Sequence, residues 1–270
     1  MAEKFEKIKV RTLTIIIGLP IILMIIHQGG VLYYLTVSIL AIIGYLEIFL
    51  VSRKKNFHPS FVLGLVATLF LLLHRITSIF IILDQRLIFT LIIFFIFMEH
   101  FLLSKKYFFI YNISITLFIS IYIGYLLSFL IDIRLMNHGN ILILFALFTT
   151  WMSDTVAYIF GILYGKRHPF PTISPNKTLE GSIAGLLGGA ICGIAFSYFI
   201  PLKPLVLFVI GLLAAICGQI GDLFESMIKR NFDVKDSGNL LPGHGGVLDC
   251  MDSILFSAPF VYYIFLKLLQ

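Results

Sequence analysis

Charge is scarce in this sequence: only 13% of its 270 residues are Asp, Glu, Lys or Arg, about half the share of an ordinary soluble domain. Tryptophan occurs once, and the three cysteines (Cys192, Cys217, Cys250) form no CxxC and no even set, so neither a disulfide framework nor a zinc knuckle is suggested. The composition likewise excludes disordered and fibrous classes. What is abundant is apolar bulk. Hydrophobic residues make up 59% of the chain, with 27 Phe and 12 Tyr and a mean hydropathy of +1.02, more than one core of this length can hide from water. A soluble globular protein is thereby excluded. The expectation is an all-α polytopic membrane protein, because each bilayer crossing takes about 20 apolar residues and a helix satisfies its own backbone in hydrocarbon.

Nine apolar runs are long enough to cross, near 10–27, 30–51, 60–82, 86–103, 107–131, 141–163, 180–200, 204–224 and 247–268. With the N-terminus cytoplasmic, fifteen of the 20 Lys and Arg fall on inner segments and five on outer ones, so the positive-inside rule selects N-terminus in, C-terminus out. The net charge of +6 is then mostly a topology signal and gives no reason to invoke nucleic acid. The first run follows a basic N-terminus but lacks a small-residue cleavage site, and eight more runs follow; it is expected to be a retained helix.

The two halves differ in character. Residues 1–140 hold seven of the 21 Gly and six of the 14 acids; residues 141–270 hold fourteen and eight. The first half is expected to be a scaffold and the second to carry a cytoplasm-facing site. In the scaffold, Glu47 before Arg53 and the His74-Arg75 pair are expected to snorkel toward an interface, and Glu99-His100 carries no pattern. Gly181, Gly185, Gly189 and Gly193 recur every four residues, and Gly211, Ala214, Ala215 and Gly218 continue the theme in the next run, predicting tight helix packing and leaving a homodimer open.

The eighth run ends in GDLFESMIKR. On a helix, Asp222, Glu225, Ser226 and Lys229 fall within one arc of about 100°. Acids at the end of a membrane helix are costly unless paired, so either an internal salt bridge or an ion site near the interface is implied. Gly243, Gly245 and Gly246 then bracket His244, a composition that allows close backbone approach to an anion, and Asp249 and Asp252 follow three apart at the start of the ninth run. Oxygen ligands beside Lys and Arg are what Mg²⁺ and a polyphosphate jointly require. A second connection on the same side carries Lys166, Arg167, His168, Ser174 and Lys177, and Asp154 interrupts the apolar run before it. Single lysines there are expected for topology alone; Asp154 is the better functional candidate.

The stretch Ser226-x-Ile228-Lys229-Arg230-x4-Lys235-Asp236-x-Gly238-x2-Leu241-Pro242-x-His244-Gly245-Gly246-Val247-x-Asp249-x2-Asp252 closely resembles the signature of phosphatidate cytidylyltransferases, and Ser174-Pro175-x-Lys177-Thr178-x-Glu180-Gly181 looks like a loop of the same family. Cys250 stands where that family usually carries Arg. The resemblance implies a polytopic enzyme that converts CTP and phosphatidic acid into CDP-diacylglycerol and pyrophosphate at the surface of a lipid bilayer. It implies Asp222, Lys229, Arg230, Lys235, Asp236, His244 and Asp249 as the catalytic set, and Asp222, Asp249 and Asp252 as ligands of one or two Mg²⁺ ions. Asp154, Lys166, Ser174, Lys177, Ser226, Gly245 and Gly246 would bind substrate. Asp236 either orients Lys235 or contacts ribose, and His244 either donates to phosphate or caps the following helix.

Two rival functions remain at this point. A CTP-dependent lipid or polyprenol kinase would need a base for the attacking alcohol and would release CDP. An ion-coupled transporter would account for Asp154, but such proteins usually show repeated halves, which this sequence lacks. The expected location is the bacterial cytoplasmic membrane.

Overall fold

The computed structural model describes residues 2–74, 76, 84–103, 109–240, 243 and 245–269. Among them the chain is helical with no strand: α1 (Ala2–Gln28), α2 (Gly30–Lys54), α3 (Val62–Leu73), α4 (Gln85–Leu103), α5 (Phe109–Leu135), α6 (Gly139–Tyr164), α7 (Leu179–Ala195), α8 (Pro204–Asn231) and α9 (Asp252–Leu269). Seven of these elements are long and apolar enough to cross a membrane, and two further apolar stretches, Ile16–Gln28 and Val62–Leu73, are shorter. Large apolar side chains such as Phe101, Ile110, Ile162 and Leu205 are more than 60% exposed, which only a hydrocarbon surround makes favourable. The chain is a multi-pass membrane protein.

The helices sort into two compact units. The first comprises Met1–Ile131 and Asp236–Leu248; the second comprises Asp132–Lys235 and Asp249–Gln270. In the first, polar groups tie α2, α4 and α5 to the segment that joins α2 to α3. The Tyr45 hydroxyl donates to the Ser60 carbonyl at 2.5 Å, the Ser60 N–H donates to Thr116 Oγ1 at 2.9 Å, and the Ser60 hydroxyl donates to Glu99. Glu99 thus has a specific partner. Within α5, residues Ser120–Tyr125 form a π turn whose Ser120 hydroxyl reaches both the Gly64 and Thr116 carbonyls at 2.9 Å. Gly124 in this turn lies directly on the Thr68 backbone, where a methyl group would collide.

In the second unit the glycine stripe is the seam. Gly181 and Gly185 of α7 rest on the Ala157 and Ser153 carbonyls of α6, while Gly189 and Gly193 meet Ala215, Gly211 and Leu207 of α8. Removing Cβ atoms lets the backbones close in and gain dispersion contacts that larger residues would forbid. Two boundaries differ from the sequence expectation. Helix α8 runs on to Asn231, and α9 starts at Asp252, with Leu248–Cys250 forming a separate 3₁₀ turn, so Asp249 precedes the helix that Asp252 opens.

Candidate active site

Helix α8 places the site by its length. Its first 18 residues, Pro204 to Gly221, carry no charge, and about 20 apolar residues span the hydrocarbon, so the polar turns from Asp222 onward emerge at the membrane boundary. Lys229 and Arg230 occupy the last turn, where cations complement the exposed carbonyls. The opening Pro204, with its fixed φ, starts the helix without wasting an N–H.

The anticipated arc is present and it draws in four other segments. Lys229 Nζ lies 2.6 Å from Asp249 Oδ1 and also pairs with Glu225 one turn back. Glu225 is fully buried, so its charge depends on this ammonium group. Lys177, at the end of the α6–α7 connection, reaches Asp222 Oδ2 at 2.6 Å. Asp154 of α6 accepts from the Ser253 hydroxyl at 3.2 Å, and Asp252 accepts from the Ser253 N–H at 2.6 Å. Asp252 lies within electrostatic reach of Asp222, Glu225 and Asp154. Five carboxylates thus converge with two ammonium groups, an excess of three negative charges if all are ionised.

Other expected residues shape the rim. Arg230 donates from Nε to the Ile173 carbonyl and from Nη1 to the Val234 carbonyl, both at 3.1 Å, clamping the loop before Lys177 to the end of α8. Ser174 bends that loop: its N–H donates to the Phe170 carbonyl at 2.9 Å and its carbonyl accepts from the Lys177 N–H at 3.2 Å. Glu180 accepts from the backbone N–H groups of Lys166 and Arg167 at 3.0 and 3.2 Å, and Thr178 caps α7 through the Gly181 N–H at 3.1 Å. Lys166 and Lys235 are exposed and take no part in the ion pairs above. Ser226 is buried on α8. His244, with Leu241 and Pro242, lies outside the described residues.

Asp236, Gly245 and Gly246 belong to the first unit. Asp236 is exposed; Gly245 has a left-handed φ of +93°. The loop they share is built on a residue that sequence reasoning set aside. Glu47 does not snorkel: it is 7% exposed and accepts three hydrogen bonds, from Ser237 Oγ (2.9 Å), Val247 N (2.8 Å) and Leu248 N (2.9 Å). An acid in mid-helix flanked by apolar residues has two readings, and the partners that decide between them lie about 200 positions away in the chain. Glu225 and Ser253, by contrast, stood beside motif residues and were within reach of sequence reasoning.

Among the described residues no three His, Cys, Asp or Glu side chains converge closely enough to enclose a metal ion unaided. The all-oxygen donor set and its surplus of negative charge fit a hard divalent cation.

The profile of the Cytidylyltransferase family matches residues 9–268, nearly the whole chain. The chain belongs to the cytidylyltransferase family. Among its relatives in that family, the phosphatidate cytidylyltransferase of Staphylococcus aureus (strain COL) is 37% identical over 255 residues, covering 93% of this chain and 96% of the relative. Those of Staphylococcus saprophyticus and Staphylococcus haemolyticus are 35% and 36% identical over 262 residues, covering 96% of this chain and all of each relative. The matched range thus runs through both units.

Proposed function

We propose that the chain transfers the cytidylyl group of CTP to phosphatidic acid, giving CDP-diacylglycerol and pyrophosphate, at the cytoplasmic face of the bacterial inner membrane. The observation that carries this reading is the cluster itself: five carboxylates and two lysines at the boundary end of α8, in a chain that matches phosphatidate cytidylyltransferases from end to end. Phosphatidic acid keeps its acyl chains in the bilayer and its phosphate at the surface, whereas CTP arrives from water. A site at the boundary serves both.

The chemistry asks little of a base, because a phosphate monoester is already an anion near neutral pH. Its oxygen forms a bond to the α-phosphorus of CTP while the bond from that phosphorus to the bridging α–β oxygen breaks, and pyrophosphate departs with the electron pair. Lys177 and Lys229 hold cationic charge beside the path of the triphosphate, and Asp222 and Asp249 keep those ammonium groups in place until substrate arrives. Arg230 fixes the loop that delivers Lys177. Asp222, Asp249 and Asp252 would hold Mg²⁺, which when bound neutralises phosphate charge and polarises the phosphoryl oxygens.

The test is an assay in detergent with CTP labelled at the α-phosphate, phosphatidic acid, and Mg²⁺ present or withheld. Labelled lipid and pyrophosphate should appear one for one, only with Mg²⁺. Asp222→Asn and Asp249→Asn should each lower turnover by about 10²- to 10³-fold, the scale of losing one preorganised charge-stabilising group. Unlabelled lipid with release of CDP would mean attack at the γ-phosphorus and overturn the proposal.

A further inference from the structure

We infer that Glu47 of α2 is a positioning residue that holds the two ends of the segment Asp236–Leu248 together, at Ser237 and at Val247–Leu248; the inference rests on the cytidylyl-transfer reading above. The three donors to Glu47 come from opposite ends of this loop. Ser237 is its second residue, and Val247 and Leu248 are its last two. One carboxylate therefore ties both ends together: Oε2 takes the Ser237 hydroxyl and the Leu248 N–H, and Oε1 takes the Val247 N–H. Charged acceptors make the stronger hydrogen bonds, and a buried carboxylate on an apolar helix is tolerable only when so satisfied.

The loop backbone is moulded to this side chain. A methyl group at Gly246 would stand 2.6 and 2.7 Å from the two carboxylate oxygens, and one at Gly238 would stand 3.0 Å from the carboxylate carbon. Between the tied ends, Gly243 and Gly245 adopt left-handed φ values of +81° and +93°. Glycine visits such angles freely, so these two residues by themselves do not hold the ends of the segment together, and the tether does. Lys235 and Asp249 are the immediate chain neighbours of the tied segment. Release of the tether thus loosens the segment between two residues of the site, while α6, α7 and α8 keep their own glycine-mediated packing.

The experiment compares the full-length protein in detergent micelles with Glu47→Gln and Ser237→Ala. Gln keeps the size of Glu but turns an amide N–H₂ toward donors. Hydrogen–deuterium exchange followed by mass spectrometry should show peptides within 236–248 exchanging about 10- to 100-fold faster in Glu47→Gln, the range set by a hydrogen bond to a charged group, with peptides of α6–α8 unchanged. KM for CTP should rise about tenfold or more while KM for phosphatidic acid stays, a split that a lower fraction of folded protein does not produce. Ser237→Ala, which removes one donor and leaves α2 intact, should shift both readouts in the same direction by a smaller factor, and it decides the matter if Glu47→Gln fails to fold. Loop exchange or KM for CTP equal to wild type, or faster exchange spread evenly over the chain, would overturn the inference. If the wild-type protein makes no CDP-diacylglycerol, the functional reading falls, and the exchange measurement still decides whether Glu47 holds the loop.

Discussion

Lys229 is the residue on which the local electrostatics turn. Its side chain is 14% exposed, and its ammonium group stands between Glu225, which is fully buried, and Asp249, whose side chain is 10% exposed. Removing it leaves a buried carboxylate without its partner. Lys229→Met should therefore destabilise the protein by about 3–5 kcal/mol, and Lys177→Met by less, because the side chains of its pair with Asp222 are 23% and 29% exposed and Asp222 can turn to solvent, whereas Glu225 cannot. Thermal inactivation midpoints in one detergent would separate the two. Adding Glu225→Leu to Lys229→Met should restore most of the lost stability, since a well-packed apolar pair replaces a buried ion pair at little cost, yet it should not restore turnover. Recovery of activity in the double variant would mean that Lys229 serves only to neutralise Glu225.

At the scale of helices, the seam between α7 and its neighbours is where small volume changes are felt. A methyl group at Gly189 would lie 2.7 Å from the Ala215 Cβ and 3.0 Å from the Thr149 carbonyl, with backbone on two sides and no flexible side chain to yield. Gly189→Val should cost about 1–3 kcal/mol or more through overpacking, while Gly18→Ala in α1, with nothing within 4 Å, should be neutral or slightly stabilising. Resistance to heat inactivation would rank the two variants, and an equal ranking would remove the seam from the account. This seam was legible in the sequence because a period of four residues maps directly onto one helix face. The arc from Asp222 to Lys229 was legible for the same reason. The π turn at Ser120–Tyr125 was not, since SIYIGY reads as any apolar run and the turn depends on how closely Gly124 meets α3. Lys177 lay beyond periodicity as well. It could be named from its motif, but its partner Asp222, 45 positions on, is set by how α6, α7 and α8 pack. Glu47 is the extreme case, with donors 190 to 201 positions away.

For the whole molecule, orientation and substrate are one question. The proposed donor, CTP, is a cytoplasmic solute, so the boundary end of α8 must face the cytoplasm. That end carries Lys229 and Arg230, and the connection bearing Lys166, Arg167 and Lys177 falls on the same side when the apolar runs are followed in order. Fifteen of the 20 basic residues then face inward, a bias that arises independently of any catalytic need in the four at the N-terminus and the three at Arg53–Lys55. A reporter that fluoresces only in the cytoplasm should be active when fused at the N-terminus, and a phosphatase that folds only outside should be active at the C-terminus. Neutralising Arg53, Lys54 and Lys55 together should weaken this preference, because these residues end a span and belong to no ion pair of the carboxylate cluster described above. The reverse pattern, phosphatase activity at the N-terminus, would put the carboxylates and lysines on the side where CTP is absent, and the orientation and the cytidylyl-transfer reading would then fail together.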